Sequence, residues 1–208
     1  MKSTAFNLDI RGFIDNEDGN CECIIDLLPA YAINYTELKI WGTSYLENSD
    51  YWIDQPNSRV IIKDSSEKIK MAEDTHNTLI VNYFGIRDYR LLFPKVTNEK
   101  LAKRLGCFYE ESEKTFDNNS WLAYSLMCAA VFEGILYSKY NRSDTFEKLI
   151  DCAYSKGDIN DKIQSIMHGT RHIRNLVHAN NYTDDYVNRK TAMDIRTVMD
   201  YIVKYFMK

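Results

Sequence analysis

Proline and glycine are scarce in this 208-residue chain, with three and eight copies, which excludes collagen-like and proline- or glycine-rich disordered architectures. Cysteine is sparse and unpaired. Cys21, Cys23, Cys107, Cys128 and Cys152 are odd in number and show no Cys-x-x-Cys spacing, so a disulfide-stapled scaffold is excluded and buried free thiols in a reducing compartment are expected. Cys21 and Cys23, two apart in an expected strand, share a sheet face and read as packing residues; a zinc site there lacks two further ligands. An excess of one charge is also missing. With 26 Lys+Arg against 30 Asp+Glu, no global cationic field exists, and any nucleic-acid contact needs a local basic patch. No run approaches about 18 consecutive apolar residues, and the stretch Met1 to Asp9 lacks the apolar segment of a signal peptide. A soluble, cytoplasmic protein with no membrane segment is the expectation.

What is present divides the chain in two. From Thr4 to about Lys95 the pattern is short and alternating: Phe6, Leu8 and Ile10 fall on one face of a strand, Asn7 and Asp9 on the other. The polar stretch Asn16 to Asn20 then leads to Cys21 to Leu28, which reads as the hairpin partner of that strand. Further strands are expected over Glu37 to Leu46, Ser58 to Asp64 and Thr78 to Phe84, about five in all. Beyond Pro94 proline disappears and apolar residues recur every three or four positions. Helices are expected from Thr97 or Asn98 to Thr115, from Ser120 as N-cap to about Tyr140, from Ser143 or Asp144 to Gly157, from Asn160 to about Ala179, and from Asp184 to about Met207. In the last, Val187, Thr191, Ile195, Val198, Met199, Ile202, Val203 and Phe206 form one apolar stripe, as a bundle helix requires. The fold class expected is therefore α+β, with a small β-rich domain over residues 1–95 and an all-α bundle over residues 96–208.

Charge divides at the same place. Residues 1–95 carry 10 basic and 15 acidic side chains, and residues 96–208 carry 16 and 15, so the helical half is the better phosphate binder. Three of the four histidines, His168, His172 and His178, fall on the fourth expected helix with Arg171 and Arg174. At about 100° per residue, Ile163, Ile166, Met167, Thr170, Ile173 and Val177 gather on one face. His168, Arg171, Asn175 and His178 share an arc of roughly 80° elsewhere, with Arg174 at its boundary. This set suits a phosphodiester: guanidinium forks take phosphate oxygens, an amide orients a hydroxyl or the imidazole, and histidine moves a proton near neutral pH. No metal or cofactor is required. Spacing alone fits a solvated or ion-paired helix face better, since such stripes on bundle helices are commonly that.

The stretch Met167-His-Gly-Thr-Arg-His-Ile-Arg-Asn-Leu-Val-His178 resembles the signature of the HEPN superfamily, in which an Arg and a polar residue precede a His with four to six residues between Arg and His. Arg171, His172 and His178 meet that spacing with six residues between. Arg174-Asn175 is the more family-like dipeptide, but it leaves only three residues before His178. The motif helix is the penultimate one, and the helix before it, with Phe146, Leu149, Ile150 and Cys152, ends in Gly157, as is common in such bundles. The resemblance spans about residues 97–208. It implies a metal-independent endoribonuclease, a defence or toxin effector, with Arg171 and His178 as the catalytic pair supported by Arg174 and Asn175, and a homodimer through the helical half. Members lacking nuclease activity imply the alternative, a binding or dimerisation module that holds a protein or nucleotide partner on the basic stripe.

Other residues complete the expectation. Glu133 is the only charge in the apolar run Leu126 to Tyr137; a buried carboxylate needs a partner, and it reads either as a structural ion pair with Arg171 or Arg174 that fixes helix packing or as the group that positions the catalytic Arg. His168 and His172 are four apart, a zinc-compatible spacing, but no intervening Glu makes a metalloprotease helix, and Arg171 repels a cation. Most aromatics, including Phe132, Phe146 and Phe206, fall at core spacing, whereas Tyr182 and Tyr186 follow the motif and are placed to stack on RNA bases. The β-rich half is expected to engage a protein partner or restrain the helical half. Glycine-rich phosphate loops, a serine elbow and a dinucleotide fingerprint are all missing.

Overall fold

The computed structural model describes residues 1–70 and 77–206, with the backbone alone at Ile10 and Phe206. The expected core roles of the Ile10 and Phe206 side chains, and the helix end at Met207, lie outside the described residues. The chain forms two compact units, Met1–Leu91 and Leu92–Lys208, one rich in antiparallel strands and one helical.

Alternating burial builds the first unit. Thr4 and Phe6 turn inward and Ser3, Ala5 and Asn7 do not, so β1 (Lys2–Asn7) covers a core with one face. Seven further strands follow: β2 (Ile14–Asp15), β3 (Cys21–Ile24), β4 (Tyr31–Ile40), β5 (Thr43–Tyr45), β6 (Tyr51–Asp54), β7 (Arg59–Ile62) and β8 (Thr78–Ile86), with the short helix α1 (Ser66–Lys70) after β7. They make two four-stranded antiparallel sheets, in the orders β1-β8-β4-β5 and β2-β3-β7-β6. Among the described residues the expected five strands become eight, for reasons that are local. Trp41 and Gly42, both at positive φ (57° and 73°), make a two-residue turn that splits the expected Glu37 to Leu46 strand into β4 and β5. Pro29 sits in a 3₁₀ turn over Leu28–Ala30, so the expected Cys21 to Leu28 strand stops at Ile24. The pairing of the first strand is also corrected: β1 lies against β8, while β3 pairs with β2 and β7.

Asp15 ties the β2 end to α1. Its two oxygens accept from the Ser66 amide and the Ser66 hydroxyl, each at 2.6 Å, and these bonds hold its carboxyl below the usual carboxylate range. A folded-state pKa below the unfolded one gives stability that is complete above about pH 4 and fades as pH falls through the folded value. Thermal melts of wild type and Asp15→Asn are expected to differ most at neutral pH and to converge in acid. Curves that kept a constant separation from neutral pH into acid would show that Ser66 does not perturb this group.

The helical unit comprises α2 (Glu99–Asp117), α3 (Trp121–Tyr140), α4 (Phe146–Ser155), α5 (Asp161–Ile173) and α6 (Arg189–Tyr201), the last continuing into a π turn over Ile202–Phe206. Asn98, Thr145, Asn160 and Asn188 cap α2, α4, α5 and α6, each side chain accepting from an amide three residues on. Thr145 therefore replaces the expected Ser143 or Asp144, and Asn188 moves the start of α6 from the expected Asp184. Ser120 occupies the α3 cap position without a side-chain bond. Gly157, at φ 72°, ends α4: its amide bonds the Tyr154 carbonyl and the Asp158 amide bonds the Ala153 carbonyl, the paired bonds of a Schellman stop.

α3 is the core helix. It packs on α2, α4, α5 and α6, and Tyr124, Cys128, Val131, Phe132, Ile135 and Leu136 are buried along it. Among the described residues it is the one helix long and apolar enough to cross a membrane, with a mean hydropathy of 1.3, and the neighbours it packs on account for that composition. On the α2 side a Cβ at Gly134 would lie 2.5 Å from Leu105 Cδ2, so glycine allows the close approach. The thiols depart from the expectation of burial: Cys21, Cys23 and Cys128 are buried, Cys152 is half-buried and Cys107 is exposed. Burial pushes the Cys21 and Cys128 thiols up to about 12, which leaves both protonated and unreactive at neutral pH.

Candidate functional site

Helix α5 forms because Asn160 caps it and because Ile163, Met167 and Thr170 turn one face into the bundle, with relative exposures of 8%, 0% and 1%. It ends earlier than the sequence pattern predicts. After Ile173 the chain tightens into a 3₁₀ turn over Arg174–Val177, and His178 has an extended backbone (φ −86°, ψ 114°). The cause is visible at Asn175. Its carbonyl accepts from the His178 amide (3.1 Å) and from Asn181 Nδ2 (2.9 Å), an arrangement in which an Asn side chain competes with helix continuation. The single helical arc expected for His168, Arg171, Asn175 and His178 is therefore corrected, since His178 lies beyond the helix. Val177, expected on the buried face, is 52% exposed.

The tightening nevertheless gathers the expected residues. The 3₁₀ turn is more tightly wound than the helix it follows, and the His178 amide bonds back to the Asn175 carbonyl. Arg171, Arg174, Asn175, Val177 and His178 line one cleft of about 550 Å³, closed by Leu126 of α3 and by Thr145, Phe146 and Glu147 at the start of α4. Arg171 Nη2 lies 3.4 Å from Glu147 Oε1, and Arg174 Nη1 lies 3.4 Å from Glu133 Oε2. Both contacts are long and half-exposed. Arg171 Nε is buried without a hydrogen-bond partner. Among the described residues neither the His178 ring nor the Asn175 amide side chain makes a hydrogen bond, so both are available to a ligand.

The other expected site residues lie elsewhere. His168 Nε2 meets Asp151 Oδ1 at 3.1 Å, and Gln164 shares that oxygen at 3.2 Å. With Glu147–Arg171 these bonds form an antiparallel zipper between α4 and α5. His172 is exposed and outside the cleft. Tyr182 and Tyr186 are also outside it, 85% and 69% exposed. Glu133, expected to be buried, has a side chain 41% exposed although Phe132, Ile135 and Leu136 near it on α3 are fully buried, and its partner is Arg174. Among the described residues no group of three or more His, Cys, Asp or Glu is disposed to hold a metal ion.

Sequence reasoning missed Glu147 and Asp151. They are four apart and so share a face of α4, and that spacing was the available signal. An acid in the first turn of a helix is ordinarily explained by the helix dipole, which gave no reason to join Glu147 to an arginine 24 positions away. Compared with protein-family models, with curated proteins and with solved structures, the chain has no match in any of the three.

Proposed function

We propose that the helical unit is a HEPN-type, metal-independent endoribonuclease and that the cleft is its active site. The observation that carries this reading is the convergence of Arg171, Arg174, Asn175 and His178 on one cleft with the His178 ring unengaged. The RNA supplies its own nucleophile: the 2′-oxygen bonds to phosphorus, the bond from phosphorus to the 5′-oxygen breaks, one proton leaves the 2′-hydroxyl and another reaches the leaving oxygen. His178 takes or delivers one of these protons. Arg171, with Arg174, stabilises the charge that develops on the phosphorane oxygens, and Asn175 orients His178 or the phosphate. Tyr182 and Tyr186 offer stacking surfaces to flanking bases.

A single imidazole cannot serve both oxygens at once. The proposal therefore includes a homodimer through the helical unit, in which a second copy brings a second His178 and separates acid from base. The β-rich unit, in this reading, senses a protein partner or restrains a nuclease of the defence or toxin kind. RNA incubated with the full chain and excess chelator is expected to yield 2′,3′-cyclic phosphate and 5′-hydroxyl ends, from a species that sediments as a dimer at tens of micromolar. Chelator-sensitive cleavage would remove the mechanism, and a clean monomer would remove the dimer.

A second reading has its own observation. The α4–α5 zipper already gives Arg171 and His168 carboxylate partners, as expected of a non-catalytic HEPN module that holds a protein or nucleotide partner. It predicts intact RNA under the same conditions.

A further inference from the structure

We propose that Glu147 is an internal competitor for the anion site at Arg171: in the ligand-free protein its carboxylate stands where a phosphate oxygen binds, and an incoming phosphate displaces it. The proposal rests on the reading of the cleft as a phosphate site, and it holds for inorganic phosphate whether or not RNA is cleaved.

The contact itself has the form of a place-holder. Glu147 Oε1 reaches only Nη2 of Arg171, at 3.4 Å, and the two side chains are 55% and 37% exposed, a geometry that water and salt weaken readily. A guanidinium engages an oxyanion best through two parallel N–H bonds. The edge of Arg171 formed by Nε and Nη2 offers such a pair. Glu147 occupies half of it, and Nε is left buried and unpartnered, so the fork is incompletely filled by the protein's own carboxylate. A phosphate has enough oxygens to take both donors once the guanidinium turns from Glu147.

The surroundings favour that exchange. Arg174, whose partner Glu133 is not among the cleft residues, adds a second positive charge beside the first. Thr145 Oγ1 accepts from the Lys148 amide, and the amides of Phe146 and Glu147 have no partner among the described residues. With the Glu147 carboxylate swung to solvent, the start of α4 adds its positive end to the two guanidinium groups. With the carboxylate in place, one negative charge borders the same cleft and opposes an anion. The α4–α5 contact does not depend on it alone, because Asp151 still bonds His168 and Gln164.

The test is titration of the full-length protein with inorganic phosphate, followed by calorimetry or phosphorus NMR, in four forms: wild type, Glu147→Gln, Arg171→Gln and the double variant. Glu147→Gln is expected to bind phosphate about three- to tenfold tighter than wild type, the range set by losing a half-exposed pair and a nearby like charge. In the Arg171→Gln background the same change is expected to gain less than about twofold, because the competition is for that guanidinium. Glu147→Ala serves as a second variant that also removes the charge. Unchanged or weaker phosphate binding by both Glu147 variants overturns the proposal. An equal gain with and without Arg171 also overturns it, since the effect would then be bulk charge. The nuclease reading fails separately: tighter phosphate binding by Glu147→Gln in a protein that cleaves no RNA keeps the competitor and removes the nuclease, while RNA cleavage with unchanged phosphate affinity does the reverse.

Discussion

His178→Ala is expected to lower RNA cleavage by about 10²- to 10⁴-fold, the usual contribution of a positioned acid or base. The fold should be unaffected. The His178 ring is exposed and makes no hydrogen bond among the described residues, so its removal opens no cavity and strands no partner. Arg171→Ala is expected to abolish cleavage as well, through the charge it neutralises on the phosphorane. Its effect on stability is expected to be modest, because the pair it loses is long and half-exposed. Two further histidines calibrate the result: His172→Ala removes a ring outside the cleft and should leave cleavage unchanged, and His168→Ala should cost only the bond to Asp151. DNA, which lacks the 2′-hydroxyl, should survive. Gel assays of product ends, read beside circular dichroism of each variant, check all of these together. Undiminished cleavage by His178→Ala would remove the proposed mechanism, and full activity of Arg171→Ala would move the anion site away from α5.

Gly134→Val is expected to destabilise the helical unit by about 2–3 kcal/mol. Helix propensity alone favours replacing a mid-helix glycine, by up to about 1 kcal/mol for alanine and less for a β-branched residue. Packing opposes it. A Cβ at Gly134 would stand 2.5 Å from Leu105 Cδ2 and 3.4 Å from Leu105 Cγ, and Leu105 is 1% exposed with nowhere to retreat. Overpacking a closed interface outweighs the propensity gain. Gly134→Ala should cost less, because it brings one carbon into the interface where valine brings three. The midpoint of urea unfolding checks the order, wild type above alanine above valine. A valine variant as stable as wild type would mean that α2 and α3 do not approach as described.

Much of the helical unit was legible because its signals are local. Asn98 and Asn160 announce helix starts, Gly157 a stop, and the nearly uncharged run from Leu126 to Tyr137 a helix with neighbours on several sides. The strands were harder to read, since a pairing partner can be distant: β1 pairs with β8, where Phe6 faces Leu79, and no local pattern encodes that choice against a nearby hairpin. The same limit applies to the site. Arg171, Arg174, Asn175 and His178 could be singled out by composition, yet their expected geometry assumed an unbroken helix. No spacing pattern announces Asn181 reaching back to the Asn175 carbonyl, the bond that goes with the break. Glu133 read as buried because its sequence neighbours are apolar, whereas it lies off the face of α3 that Phe132, Ile135 and Leu136 bury. Glu147 became visible only when α4 and α5 lay side by side.

The segment from Arg174 to Asn188 gives the cleft two grades of durability. Arg171 belongs to a helix anchored by Met167 and Thr170, and separating it from the bundle means unpacking a core. His178 is held by the 3₁₀ turn and the Asn181 bridge, and from there to Asn188 only Val187 is buried. The free energy that keeps the imidazole in register is thus a local quantity, a small part of what keeps the bundle folded. Heating should disperse the histidine side of the cleft while the arginine side is still in place, leaving a folded protein that attracts anions without aligning them.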